Sequence, residues 1–116
     1  MVEFALALPI LALLLFAVIQ FGIVFNHYVT LTDATRAGAR KGAVARRDPN
    51  PQSLTIAAVR NSATDLTQSD LAVTVNSTWL PGEDVKVNAT YPYTISLLGM
   101  VVKSGRLSST TTERVE

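Results

Sequence analysis

The first 25 residues constrain the fold of this chain most, because almost all of them are apolar. No side chain from Phe4 to Ile19 is polar, and Gln20 is the one strongly polar residue between Phe4 and Phe25. A helix of about 20 apolar residues spans the hydrocarbon of a bilayer. The acid Glu3 at the head of the run disfavours a cleavable secretory signal, which needs a basic start. The segment therefore predicts a membrane-spanning helix.

The helical pattern continues well beyond the length that a membrane requires. No proline follows the apolar run until Pro49, so one helix is expected from about Phe4 to Arg47. At 1.5 Å per residue it would be about 65 Å long. Its second half is amphipathic. The apolar positions there are Tyr28, Leu31 and Val44, and the charged ones are Arg36, Arg40, Lys41, Arg46 and Arg47.

Small residues recur every four positions in this second half, at Ala34, Gly38 and Gly42. That spacing aligns them on one side of a helix, and the GxxxG step lets another backbone approach closely. Two interpretations stand side by side. The glycines either pack helices of separate copies together, or they admit the globular part of the same chain.

Pro9 lies inside the apolar run. Proline removes one helical hydrogen bond and kinks the rod, although membrane helices tolerate it better than soluble ones. It is either a tolerated kink or a weak point at which the helix bends when its surroundings change.

The second half of the chain begins with a short helix and a hairpin. Asn50 as N-cap before Pro51 predicts a helix that runs to about Leu66. Apolar and polar residues then alternate over 71–76 and 85–95, which predicts two strands. The sequence LPGED between them is a turn, so the strands are expected to pair antiparallel.

The last third contains a further strand and two irregular features. Residues 106–115 read as a Ser/Thr-rich strand, and Pro92 predicts a sheet edge or a bulge. The apolar stretch SLLGMVV between the strands predicts a helical turn on the long helix, or a contact for a neighbouring molecule.

The expected fold is α+β. A head of about 65 residues without disulfides is marginally stable alone, so its sheet should pack on the long helix. The result is a ladle. A long N-terminal helix, residues 1–47, packs on a head, residues 48–116, with a small antiparallel sheet of about three strands and one short extra helix.

Composition and motifs argue against several classes of function. The chain has no cysteine, one histidine (His27) and a net charge of +1, which disfavours thiol chemistry, a histidine metal site and direct nucleic-acid binding. A phosphate-binding loop, H-E-x-x-H and G-x-S-x-G are all absent from the sequence. No catalytic residue, metal or cofactor is therefore expected. Asn76 and Asn88 match the N-glycosylation triplet, which arises readily by chance in a Thr-rich chain.

The chain resembles TadE-like pilins, a branch of the type IV pilin superfamily. The resemblance rests on VEFALALPILALLLFAVIQFG and ATRAGARKGAVAR in the N-terminal half, and on TYPYTI and LSSTTTERVE near the end. It implies a type IV pilin-like ladle that is a structural subunit of an extracellular Tad-type pilus, not an enzyme.

The resemblance also implies a life cycle and a set of partners. The subunit lies in the bacterial inner membrane, is cleaved by prepilin peptidase, and joins a helical homopolymer through the pilus assembly platform, after which it is found on the cell surface. The early acid of the family neutralises the N-terminal amine of an adjacent subunit, and this role falls on Glu3. The subunit-assembly residues are expected to be Glu3, Phe4, Pro9, Gln20, Gly22, Gly38 and Gly42.

Two departures from the family bear on processing and orientation. The family has a short basic leader before its cleavage site, which this sequence does not show, so we expect a processed or trimmed form. The type IV glutamate is the fifth mature residue but the third here, so the mature start is expected to lie upstream. On this chain alone the positive-inside rule places residues 36–47 in the cytoplasm, whereas a pilin needs them outside. A basic leader would restore the pilin orientation.

Other functions compete with the major-pilin interpretation. The chain is alternatively a minor pilin or pseudopilin of the assembly machinery, or a monomeric membrane-anchored binding domain. A membrane-associated enzyme is the third reading. Without a role in assembly, Glu3 is an acid at the membrane interface and at a helix N-terminus, where a negative charge is favourable. Adhesion, DNA uptake, secretion and motility all share this subunit design.

Overall fold

A computed structural model describes residues 1–97 and 100–116, without the side chains of Leu97 and Val102. It contains helices α1 (Val2–Ala43) and α2 (Pro51–Ser62), and strands β1 (Ala72–Asn76), β2 (Asp84–Leu97) and β3 (Met100–Arg114). The described strands form one antiparallel sheet in the order β1-β2-β3. The molecule measures 71 × 22 × 19 Å. The predicted α+β ladle with a three-stranded sheet is therefore confirmed.

The long helix is continuous through Pro9 and ends at Ala43, four residues before the predicted Arg47. Its end has two physical causes. The N–H groups of Val44 and Ala45 bond three residues back instead of four, which tightens the last turn. The N–H of Glu116 donates to the carbonyl of Ala43 over 3.0 Å, so the end of the chain caps the helix.

The second helix begins as predicted and ends early. Asn50 Oδ1 accepts the N–H of Ser53 over 3.2 Å, with Pro51 in the first turn. The helix ends at Ser62 and not near Leu66, because the amide of Gln68 folds back to donate to the carbonyls of Arg60 and Ala63.

The core lies between the second half of α1, α2 and one face of the sheet. Val85, Val87, Ala89 and Tyr91 are buried along β2 at every second residue, as their alternation predicts. Leu31 and Val59 are fully buried where the two helices meet this face. Packing on α1 thus supplies burial that a small head lacks alone.

The inner face of β3 is polar where it meets the helix. Thr35 Oγ1 lies 2.9 Å from Thr111 Oγ1 and donates to the carbonyl of Thr32 over 2.8 Å. Ser109 Oγ donates to Thr32 Oγ1 over 3.1 Å. We call these residues (Thr32, Thr35, Ser109 and Thr111) the hydroxyl cluster. Buried hydroxyls need hydrogen-bond partners, and here each element supplies them to the other, which holds β3 on α1.

The β2–β3 hairpin is longer than predicted. Ser96 and Leu97 belong to β2, and β3 begins at Met100 and not at Arg106. The helical turn predicted over SLLGMVV is therefore wrong for the described residues of that stretch, while Leu98 and Gly99 lie outside them. The register shift falls between Ile95 and Ser96.

Pro92 forms part of a sheet edge but does not itself carry the bulge. It lies two residues beyond Thr90, where the β1 pairing ends, so no β1 residue is paired with it on that side. Pro92 pairs with Arg106 of β3 on the other side. Proline has no backbone N–H to donate, so it is tolerated at a sheet edge, where no neighbouring strand requires that donor.

Candidate assembly surface

The N-terminal half of α1 is bare apolar surface. Among the described residues, α1 is long and apolar enough to cross a membrane, and its most apolar 18-residue window has no buried residue. Most large side chains here keep about half or more of their surface exposed. Examples are Phe4 at 67%, Leu15 at 61%, Val18 at 68% and Phe25 at 68%. Monomeric soluble proteins rarely expose a contiguous apolar patch of this kind.

One stripe of this bare half is partly covered. Leu13, Ala17, Gln20 and Val24 are half-buried, and most of the side chains around them are exposed. They recur at helical spacing and continue along the same side of the helix into buried Leu31. We call this the head-side stripe, because Leu31 lies in the core shared with the head.

The opposite side of the helix is open. At 100° per residue, Gly22 lies about 200° round the helix from Gln20, and Phe4 falls on the same side as Gly22. A Cβ added to Gly22 would meet no atom within 4 Å. We call this side the free face; it also carries Leu11, Leu15 and Val18, all more than half exposed.

The predicted assembly residues thus fall into different surroundings. Glu3, Phe4 and Pro9 are exposed, with Glu3 in the first helical turn. Gln20 belongs to the head-side stripe and Gly22 to the free face.

Gly38 and Gly42 contact the head of their own chain. A Cβ at Gly38 would overlap Val59 Cγ2 of α2, and one at Gly42 would lie 2.9 Å from Val85 Cγ1 of β2. Of the two interpretations given for these glycines, the structure has the intramolecular one. They let α2 and β2 approach the α1 backbone, so we assign them no contact between copies.

The two possible glycosylation asparagines also differ. Asn76 is exposed, whereas Asn88 is half-buried. The amide nitrogen of Asn88 donates to Ser108 Oγ and Thr110 Oγ1, over 3.1 and 2.7 Å. A sugar on that nitrogen would replace one of its two hydrogens, so at least one of these bonds would be lost in the folded head.

Two features of the structure were not predicted from the sequence. The hydroxyl cluster was not foreseen, although the Ser/Thr-rich last strand was the available signal. The reach of the β2–β3 hairpin along α1 was not foreseen either, and its signal was the period-2 pattern that continues past Pro92. Within the described residues, no group of three or more His, Asp or Glu side chains is placed to hold a metal ion.

Comparison with known proteins agrees with the N-terminal part of this description. Residues 1–40 match the family model of TadE-like proteins, which is about a third of the chain and contains the whole apolar run. No curated protein and no solved structure matches the chain. The predicted resemblance is therefore confirmed over these residues, and the chain carries a TadE-like N-terminal segment.

Proposed function

We propose that this protein is a structural pilin-like subunit of a Tad-type pilus. It is held in the inner membrane by the first half of α1 and polymerises through that same half after processing. The observation that carries the proposal is the bare apolar surface of α1 from Val2 to Phe25, beside a head that packs only on the second half and the head-side stripe. Such a surface needs either lipid or other apolar helices around it.

The free face supports the polymer part of the proposal. Apolar side chains and the open Gly22 lie there together, on the side away from the head. Small residues let helices approach closely, which is how helices pack in an apolar medium. In the filament, neighbouring α1 helices would therefore meet along the free faces, with the heads outside.

Glu3 supports the proposal as a docking group. It is exposed in the first turn of α1, at the end of the apolar run farthest from the head. An acid in apolar surroundings is costly unless a cation pairs with it. In the filament the partner would be the N-terminal amine of the adjacent subunit. Processing by prepilin peptidase and delivery by the assembly platform belong to the same proposal.

The test is electron microscopy of filaments sheared from cells, with the subunit identified by mass spectrometry. Filaments that contain this chain as the main component support a major pilin. Trace amounts in filaments built from another subunit would make it a minor pilin or pseudopilin. Recovery solely as a detergent-soluble monomer would contradict polymerisation and leave a membrane-anchored binding domain.

A further inference from the structure

We propose that the tip of the β2–β3 hairpin, formed by Ser96, Met100 and Val101 with Lys103 at its base, contacts lipid beside α1 in the membrane-anchored protein. The inference rests on the anchoring part of the proposed function. It adds a second membrane-contacting element, from the head, to the helix.

The first step is the height of the hairpin along the helix. Val85 of β2 lies beside Gly42, and Tyr91 lies against His27 with ring centroids 5.4 Å apart. Six strand residues therefore cover about 20 Å while α1 rises by fifteen residues, about 22 Å. The strand thus runs alongside the helix, towards its N-terminus.

The second step extends this relation to the tip. Six more residues carry β2 from Tyr91 to Leu97. At the same pitch the end of the strand lies near the level of Leu14, although twist shortens the reach somewhat. The tip is therefore level with the apolar run and not beyond its end.

Burial on α1 agrees independently. The head-side stripe is half-buried at Leu13, Ala17 and Val24, while Leu14 and Val18 beside it are 59% and 68% exposed. The half-buried positions cover the heights that the hairpin is calculated to reach.

The third step is the chemistry of the tip. Residues 95–102 contain no charge, and Met100 and Val101 are 72% and 64% exposed. Whatever medium surrounds Leu14 and Val18 at this height also surrounds them, and in the anchored protein that medium is lipid. Lys103 is the first charged residue after the tip on β3, on the side nearer the head. Its long aliphatic stem lets the ammonium group extend towards the headgroups.

Backbone hydrogen bonding requires water beside the tip. Within the tip, Ser96 pairs with Val101 and Leu97 with Met100. The outer edges of the two strands still need water as a partner. At the height of Leu14, near the middle of the apolar run, these edges cannot lie bare in hydrocarbon, so water has to follow the hairpin into the bilayer.

The test uses the absence of native cysteine. The single variants Met100→Cys, Thr112→Cys and Leu15→Cys of the full chain are labelled with an environment-sensitive fluorophore. They are reconstituted in vesicles of phosphatidylethanolamine and phosphatidylglycerol, with or without brominated acyl chains. Thr112 is the matched control, since it is exposed on the same strand at the far end, and Leu15 reports the helix. Emission of Trp79 checks that each variant is folded.

The expected result is bromine quenching at Met100→Cys and Leu15→Cys and none at Thr112→Cys. Quenching at Leu15→Cys with a water-exposed label at Met100→Cys would overturn the inference and leave the anchoring intact. Loss of quenching at Leu15→Cys would overturn the anchoring and the inference with it. A label at Met100→Cys that self-quenches with rising protein density, without bromine quenching, would show a second copy on the tip and would also overturn the inference.

Discussion

His27 and Tyr91 meet edge to face, with ring centroids 5.4 Å apart and ring planes at 72°. His27 lies two residues after the apolar run, and Tyr91 lies in the middle of β2. Their contact places the head beside the point where the bare half of α1 ends. The contact also fixes the position of the β2–β3 hairpin along the axis of α1. That position determines how far the tip of the hairpin reaches along the apolar run.

Tyr91→Phe should lower the free energy of unfolding by about 1 kcal/mol. The Tyr91 hydroxyl accepts the N–H of Thr67 over 3.2 Å, and phenylalanine leaves that donor without its partner while keeping the ring on His27. Denaturant unfolding in detergent, followed by the single Trp79, measures the change. Tyr93→Phe is the control on the same strand. An equal loss for both variants would contradict the assigned role of the Thr67 bond.

Gly38→Ala should destabilise the head, although alanine is the better helix former. In an open helix the change would stabilise by about 1 kcal/mol. Here the new Cβ would overlap Val59 Cγ2, and overpacking costs about 1–3 kcal/mol. Gly22→Ala is the matched control, because its Cβ meets no atom within 4 Å. In the same unfolding experiment, we expect the free energy of unfolding to fall for Gly38→Ala and to rise for Gly22→Ala. A more stable Gly38→Ala would show that α2 does not pack against Gly38.

Gly22→Leu should lower filament yield without changing the stability of the subunit. The leucine adds bulk on the free face, where the proposed neighbour helix approaches, and its Cβ has open space there in the single subunit. Sheared filaments are quantified by immunoblot, against the amount of subunit in the membrane. The proposed use of the free face would be refuted by normal filament yield.

Glu3→Ala should reduce assembly while membrane insertion is unchanged. Removing the exposed acid leaves the neighbour's amine unpaired in the filament core but makes the helix more apolar. Carbonate-resistant membrane subunit and sheared filament are measured in the same cells. Glu3→Gln is the control that keeps the size of the side chain and removes the charge, so it should assemble as poorly as alanine. Wild-type yield from Glu3→Gln would show that charge pairing is not the role of this residue.

Thr35→Val should destabilise the contact between α1 and β3 by about 1–3 kcal/mol. Thr35 is fully buried, and its hydroxyl lies 2.9 Å from Thr111 Oγ1 and 3.4 Å from Ser109 Oγ. Valine keeps the shape but leaves those hydroxyls without this partner. Thr112→Val, at an exposed position of β3, is the control and should change stability by less than about 0.5 kcal/mol. Equal effects at both positions would mean that the hydroxyl cluster contributes little.

The ends of the helices show which boundaries the local sequence predicts and which it does not. Asn50 and Pro51 determine where α2 begins, since an N-cap acts on its own first turn. Its end depends on Gln68, and the end of α1 depends on Glu116, which is 73 residues beyond Ala43. Partners so distant along the chain leave no local pattern.

The sequence by itself determined the membrane-length helix, the strand alternation on β2 and the TadE-like resemblance, because each depends on periodicity or on local residue types. Tertiary structure alone decided what Gly38 and Gly42 are for, since a GxxxG step admits any close neighbour and only packing shows that it is Val59 and Val85. It also decided how much of α1 stays bare. The bare length depends on where along α1 the head is attached, which the contact between Tyr91 and His27 defines. These two residues are far apart in the sequence, so no local spacing predicts their contact.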